Sequence, residues 1–319
     1  HRLEQKAHIG SFFFQNEWKT PQWSLLLGGR LDKHNFIDRL IFSPRVNVRF
    51  NPTDDVNLRL SYSGGFRAPQ TFDEDLHVGM VGGSRLVTVL ADGLREERSN
   101  SFSLSADLYR RFGDAIQANL LIEGFYTKLS HVFALRQLEE KDANGNSVQE
   151  RYNAYGAKVY GINLEGKVAF DRLLQVQAGL TLQRSLYDEA IAWNEDVPEQ
   201  LYRRTPDPYG YFTATLTPLS RLSVSLTGNY TGSMLVGHNA GSGTETPVAV
   251  DTRSFFTLGT KVSYDFPVGS HLTLQVNAGV QNLTDAFQKD LDTGWNRDSA
   301  YIYGPSTPRS FFVGAKIVY

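Results

Sequence analysis

The densest set of metal-capable side chains in this sequence is Asp73-Glu74-Asp75-Leu76-His77. In an extended stretch alternate side chains share a face, so Asp73, Asp75 and His77 would project together and could hold a divalent cation or a haem iron. A simply solvated acidic loop is the competing reading. Asp290, Asp292 and Asp298 surround Trp295 in a second acidic stretch, which could attract a cation and is equally explained by solvation. His238, within Gly237-His238-Asn239-Ala240-Gly241-Ser242-Gly243, reads as an exposed residue of a flexible loop without carboxylates nearby. The aromatics Trp193, Tyr202, Trp295, Tyr301 and Tyr303 fall in irregular segments where they could contact a large planar or amphipathic ligand. Covalent chemistry has little support. There is no G-x-S-x-G elbow, no H-E-x-x-H pair and no phosphate-cradling G-x-x-x-x-G-K-S/T. Cysteine is absent, which removes disulfides, thiolate-bound zinc and thiol catalysis. A net charge of -2, with scattered charges, gives no footprint for nucleic acid. Binding without catalysis is the expectation.

The elements that must position these residues are strands. Val56, Leu58, Leu60 and Tyr62 alternate with Asn57, Arg59, Ser61 and Ser63. Phe102, Leu104, Ala106 and Leu108 do the same against Ser101, Ser103, Ser105 and Asp107. Similar runs recur through 116–126, 160–170, 176–182, 222–230 and 272–280. Many run about ten residues or more, close to one tilted crossing of a bilayer. No run approaches the roughly 20 apolar residues of a membrane helix, so a membrane-spanning chain of this kind must be a closed barrel. Short turns at 20–22, 51–55, 111–114, 170–172, 217–220 and 266–269 interleave with long connections near 68–97, 128–153, 186–206, 235–253 and 284–307. That asymmetry, with aromatics such as Trp18, Trp23, Phe50, Tyr109, Phe112, Phe170 and Phe266 beside the short turns, is the pattern of an outer-membrane β-barrel. The fold expectation is all-β, with about thirteen antiparallel transmembrane strands. An odd count makes the first and last strands parallel, so they could not close an all-antiparallel barrel. The start at His1, without an initiator methionine or signal-peptide regions, adds the expectation of missing upstream sequence. On this reading residues 1–319 are the C-terminal portion of a larger barrel domain.

Several short motifs occur in a telling order. Phe66-Arg67-Ala68-Pro69 ends one strand, and Pro69 cannot donate to a ladder. Leu94-Arg95-Glu96-Glu97-Arg98-Ser99-Asn100-Ser101-Phe102 restarts the next. Tyr152-Asn153-Ala154-Tyr155-Gly156 then leads to Gly161-Ile162-Asn163-Leu164-Glu165, and Asn282-Leu283-Thr284-Asp285 opens the last long connection. The chain ends in an alternating strand on Tyr319. This series resembles the TonB-dependent receptors, with Glu96 where the family pattern has proline and Ala91-Asp92-Gly93-Leu94 in place of an N-P-D/N-L box.

The resemblance implies a 22-stranded barrel in the outer membrane of a Gram-negative bacterium, around an N-terminal plug not visible in this chain. It implies active import of a scarce large ligand, powered by the TonB complex through that plug. Tyr319 would be an assembly signal for the barrel-assembly machinery, the barrel would contact outer-membrane lipids, and a surface lipoprotein could cap it. No intrinsic cofactor is implied. Cobalamin is the favoured ligand on the overall strand and loop pattern, with haem or a ferric siderophore as the alternative within the family. His77 is the only histidine between the boxes flanking its loop, where haem receptors of the family place an axial ligand. A passive porin or structural barrel is the alternative of another class.

Overall fold

A computed structural model of the chain describes residues 6–70, 86–141, 143, 145, 147–192, 198–241, 243–269 and 271–319. Thirteen strands form one sheet in chain order, each antiparallel to the next. They are β1 (Ile9–Lys19), β2 (Trp23–His34), β3 (Ile41–Thr53), β4 (Val56–Arg67), β5 (Glu97–Phe112), β6 (Ile116–Ser130) and β7 (Ala157–Phe170). The sheet continues through β8 (Leu174–Ala192), β9 (Pro208–Leu219), β10 (Leu222–Thr231), β11 (Phe255–Val268), β12 (Leu272–Gln281) and β13 (Ser310–Val318). A short strand, Pro198–Leu201, pairs only with β8. Among the described residues there is no helix. The expected strand count and the alternation of short and long connections are both present.

The short turns are tight for local reasons. The first is clasped by Thr20, whose N–H donates to the Trp23 carbonyl at 2.7 Å and whose hydroxyl accepts from the Trp23 N–H at 2.9 Å. Gly113 and Gly269 sit in two others at φ of 63° and 69°, a left-handed conformation that favours glycine. Pro44 does not break β3. It pairs with Gly29 of β2, while the β3–β4 ladder starts one residue later, at Arg45 opposite Ser63. A side chain on Gly64 would come within 2.8 Å of the proline ring, so the glycine makes room for it.

The period of two gives the sheet two unlike faces. On one, polar side chains bond across strands: Ser101 with Thr127 at 2.9 Å, and Thr181 to Asn163 at 2.8 Å. On the other, Leu104 is 62% exposed and Leu60 52%. An extensive exposed apolar face on alternating strands is the pattern of a membrane-spanning barrel. The buried apolar residues lie elsewhere. Ile37, Ile41, Val132, Ala157, Leu235, Val236 and Tyr301 all gather at the long-connection end of the sheet, where the packed core is found.

Candidate functional site

The long connections build two clusters. The first joins the connections after β2, β4 and β6. Glu96, almost wholly buried, accepts from Arg39 Nε at 3.1 Å and Nη2 at 2.5 Å, and from Arg98 Nε at 2.8 Å. Burial works to raise its carboxyl pKa, but the two guanidinium bonds override this and hold it below the ordinary value. Asn153 binds this edge to the next connection: its side-chain amide donates to the carbonyls of Arg95 (3.0 Å) and His131 (2.8 Å) and accepts from the Arg95 N–H. Leu86–Leu90, Ser147–Asn153 and Phe133–Lys141 form a small three-stranded sheet alongside.

The two sequence boxes meet here. Arg67, on the polar face at the end of β4, is paired with Glu97 at the start of β5 in the ladder and by a 3.3 Å ion pair. Its guanidinium also lies 4.9 Å from the Phe133 ring centroid, and Glu97 accepts from the Phe133 N–H at 3.1 Å. Pro69, just beyond, is buried. Across the polar face Tyr187 and Tyr202 stack at 4.1 Å. Burial pushes the Tyr202 hydroxyl pKa up and that of the neighbouring Arg203 down. Arg67, Glu97 and Arg203 all act electrostatically on this tyrosine pair. Two stacked phenols and the Arg67 guanidinium thus stand at this end of the polar face, with Arg203 next to Tyr202 in the chain.

The second cluster joins the connections after β8, β10 and β12. His238 lies in a hairpin of Leu235–His238 with Val248–Asp251. Its Nε2 is 3.0 Å from both Asp292 oxygens, and its ring stacks on Tyr301 at 3.8 Å and 7°. This corrects the expectation from sequence: His238 is 7% exposed and faces a carboxylate brought in from a connection 54 residues away. Gly-rich surroundings signalled mobility, but they are what lets other chain segments pack closely, since a side chain on Gly241 would meet the Asn296 carbonyl at 2.3 Å.

The remaining acidic residues are likewise used internally. Asp290 accepts from the hydroxyls of Tyr301 (2.8 Å) and Tyr303 (2.6 Å), and Asp298 from the Asn239 N–H and side chain. Arg204 ties the preceding connection in by donating to the carbonyls of Ala300 and Ile302. Asn282, at φ 48°, anchors the whole loop through the Ala286 and Thr307 carbonyls, both at 2.9 Å. That is the physical role of the Asn-Leu-Thr-Asp motif.

Of the sequence-derived site residues, Tyr301 is buried with ring and hydroxyl both engaged, Tyr303 is half-buried, and Trp295 is 76% exposed. Asp73, Asp75, His77 and Trp193 lie outside the described residues. Among the described residues, no group of three or more histidine, aspartate or glutamate side chains is arranged to hold a metal ion. The Tyr187–Tyr202 stack, and the arginines around it, escaped sequence reasoning except for Tyr202 and Arg67.

The family model described as TonB dependent receptor-like, beta-barrel matches residues 3–283. No curated protein sequence matches the chain. Among solved structures it is similar to the siderophore receptor PirA from Pseudomonas aeruginosa, with a TM-score of 0.66 at 18% identity, covering 98% of this chain and 49% of that one. A mutant ferric enterobactin receptor, PfeA, from the same organism in complex with enterobactin gives 0.69 at 19%, with 98% and 46% covered. The FrpB iron transporter from Neisseria meningitidis gives 0.66 at 16%, with 97% and 45% covered. The chain therefore spans about half the length of these proteins, and at such identities the likeness is one of fold.

Proposed function

The chain belongs to the TonB-dependent receptor-like β-barrel family, and on that premise we propose that it is the C-terminal part of an outer-membrane receptor barrel that imports a ferric siderophore. The observation that carries the ligand class is the mouth of the polar face. Tyr187 and Tyr202 offer stacked rings, and the half-exposed Arg67 offers positive charge, which together suit an anionic, aromatic iron chelate. The names of the similar structures, a siderophore receptor, a ferric enterobactin receptor and an iron transporter, support the same class. Cobalamin has no counterpart among them. A haem reading rests on His77, which lies outside the described residues.

In this reading the ligand is cargo, held without covalent chemistry. The loops above the mouth, with the exposed Trp295, make first contact, and Arg67 and the tyrosine pair receive the chelate at the end of the strands. The TonB complex acts through a plug that is not among these thirteen strands, and the barrel supplies a rigid wall.

The test is transport by the full-length receptor in a Gram-negative strain stripped of its other iron receptors. Uptake of radio-iron as ferric enterobactin is expected, dependent on TonB and reduced by replacing Arg67 with alanine. Uptake of labelled cobalamin with none of iron would overturn the ligand assignment, and TonB-independent leakage of small solutes would replace the receptor reading with a pore.

A further inference from the structure

The apolar face carries a feature that ligand import does not use. The register aligns Tyr62, Phe102, Tyr126 and Tyr160 opposite one another across β4 to β7, and the row continues to Arg184 in β8. An aromatic row at the long-connection end of a lipid-facing surface marks the level of the headgroups. The next row toward the connections places Lys128 directly opposite Lys158. Like charges in this position repel and destabilise a strand pair. Asp188 pairs with Lys128 and Asp207 with Arg184, while Lys158 has no ion-pair partner among the described residues. One positive charge is left over just beyond the aromatics.

The row on the other side of the aromatics contains a gap. Gly124 stands between Leu104 and Ile162, and a Cβ added to it meets nothing within 4 Å. The glycine lies in a shallow open depression of about 690 Å³ that runs across β4 to β8 from Leu60 to Leu182, with Leu104, Tyr126, Tyr160 and Ile162 around it. From the lysine row to the glycine row is four residues, about 13 Å along a strand.

We propose that this surface binds one phosphorylated, multi-acyl membrane lipid, its phosphate held by Lys158 with Lys128 and Arg184 and one acyl chain seated in the notch over Gly124. Charge complementarity selects an anion at the headgroup level, and the apolar notch below selects a chain attached to it. A soluble phosphate would satisfy the lysines and leave the notch empty. The inference rests on the membrane placement proposed above.

The experiment uses the full-length receptor in phosphatidylcholine nanodiscs doped with diphosphorylated lipid A or with its dephosphorylated counterpart, and reads retained lipid by native mass spectrometry. The wild type is expected to retain the phosphorylated form selectively. Lys158→Ala should lower that retention about tenfold, as expected for losing a charged hydrogen bond, and Lys158→Arg should restore it. Gly124→Leu, whose Cβ meets open space, should fill the notch and lower retention with both lysines intact. Selective retention unchanged in Lys158→Ala or Gly124→Leu, or displacement by inorganic phosphate, would overturn the proposal. A receptor that fails to enter nanodiscs at all would instead overturn the membrane placement.

Discussion

The two clusters at the long-connection end solve one problem with different chemistry. Both must pin loops over the rim of a sheet whose apolar residues face outward and are exposed. The first cluster does so with Glu96 held between Arg39 and Arg98, a charge compensated by two permanent cations. The second does so with Asp290, Asp292 and Asp298 held by phenols, an imidazole and backbone N–H groups, donors that titrate or are neutral. The difference teaches that the first should be governed by charge balance and the second by packing and protonation.

The largest effect should come from the packed side. Tyr301→Ala removes a buried ring that stacks on His238 and a hydroxyl that serves Asp290, at a cost of about 4 kcal/mol in local opening. Hydrogen exchange should show loss of protection in 235–251, with Asn153 and its neighbours unchanged. Glu96→Ala should cost about 3 kcal/mol by leaving Arg39 and Arg98 without their shared carboxylate. Here protection should fall in 95–98 and 131–153 only. If either substitution loosens both clusters equally, they are one cooperative unit and the contrast fails.

Titration should separate them further. Glu96, Asp290 and Asp292 all have carboxyl pKa values held below the ordinary range against the upward push of burial. For Asp290 the phenol hydroxyls outweigh burial; for Asp292 it is the Asp298 N–H and His238. Their stabilisation is complete above the unfolded carboxylate value of about 4 and is lost as pH falls through the depressed values, so acid should open both clusters. Burial, with the bond to Asp290, pushes the Tyr303 hydroxyl up to about 12 and raises that of Tyr301 as well. This stabilisation is present below the ordinary phenol value near 10 and is lost as pH rises through the raised one. Alkali should therefore open the second cluster while leaving the Glu96 contacts with Arg39 and Arg98 intact, since guanidinium groups stay charged; exchange or tyrosine absorbance against pH measures it.

Smaller effects sharpen the functional side of the comparison. Arg67→Ala breaks a half-exposed ion pair and should cost no more than about 1 kcal/mol in stability. A much larger loss of ferric-siderophore affinity than of stability would mark Arg67 as a ligand contact. Trp295→Ala should leave stability within about 0.5 kcal/mol, because the ring is 76% exposed. Any change in siderophore association rate then belongs to ligand capture.

The strands were legible in sequence because alternation is a local property. Even Pro44, which interrupts the pattern, leaves β3 in place once Gly64 yields space. The boxes were legible as strand ends, and Glu96 stood out as a departure from the family pattern. Its meaning required Arg39, 57 residues earlier. His238 was misread for the same reason: glycines around it are visible locally, while Asp292 and Tyr301 arrive from another connection. The aromatic row Tyr62–Phe102–Tyr126–Tyr160 was also hidden. Each member sits in an ordinary alternating strand, and only the register sets them side by side.

One of these junctions bears on how such a molecule can change. Arg67 and Glu97 are register partners, so the chain leaves the sheet after one and re-enters it at the other on a single rung. Closing a loop costs only about 0.6 kcal/mol more for each doubling of its length. This connection can therefore change in length while the β4–β5 ladder keeps its register, provided Glu96 stays to hold Arg39 and Arg98. Loop length and scaffold are in this way separable, with one rung of the ladder as the seam between them.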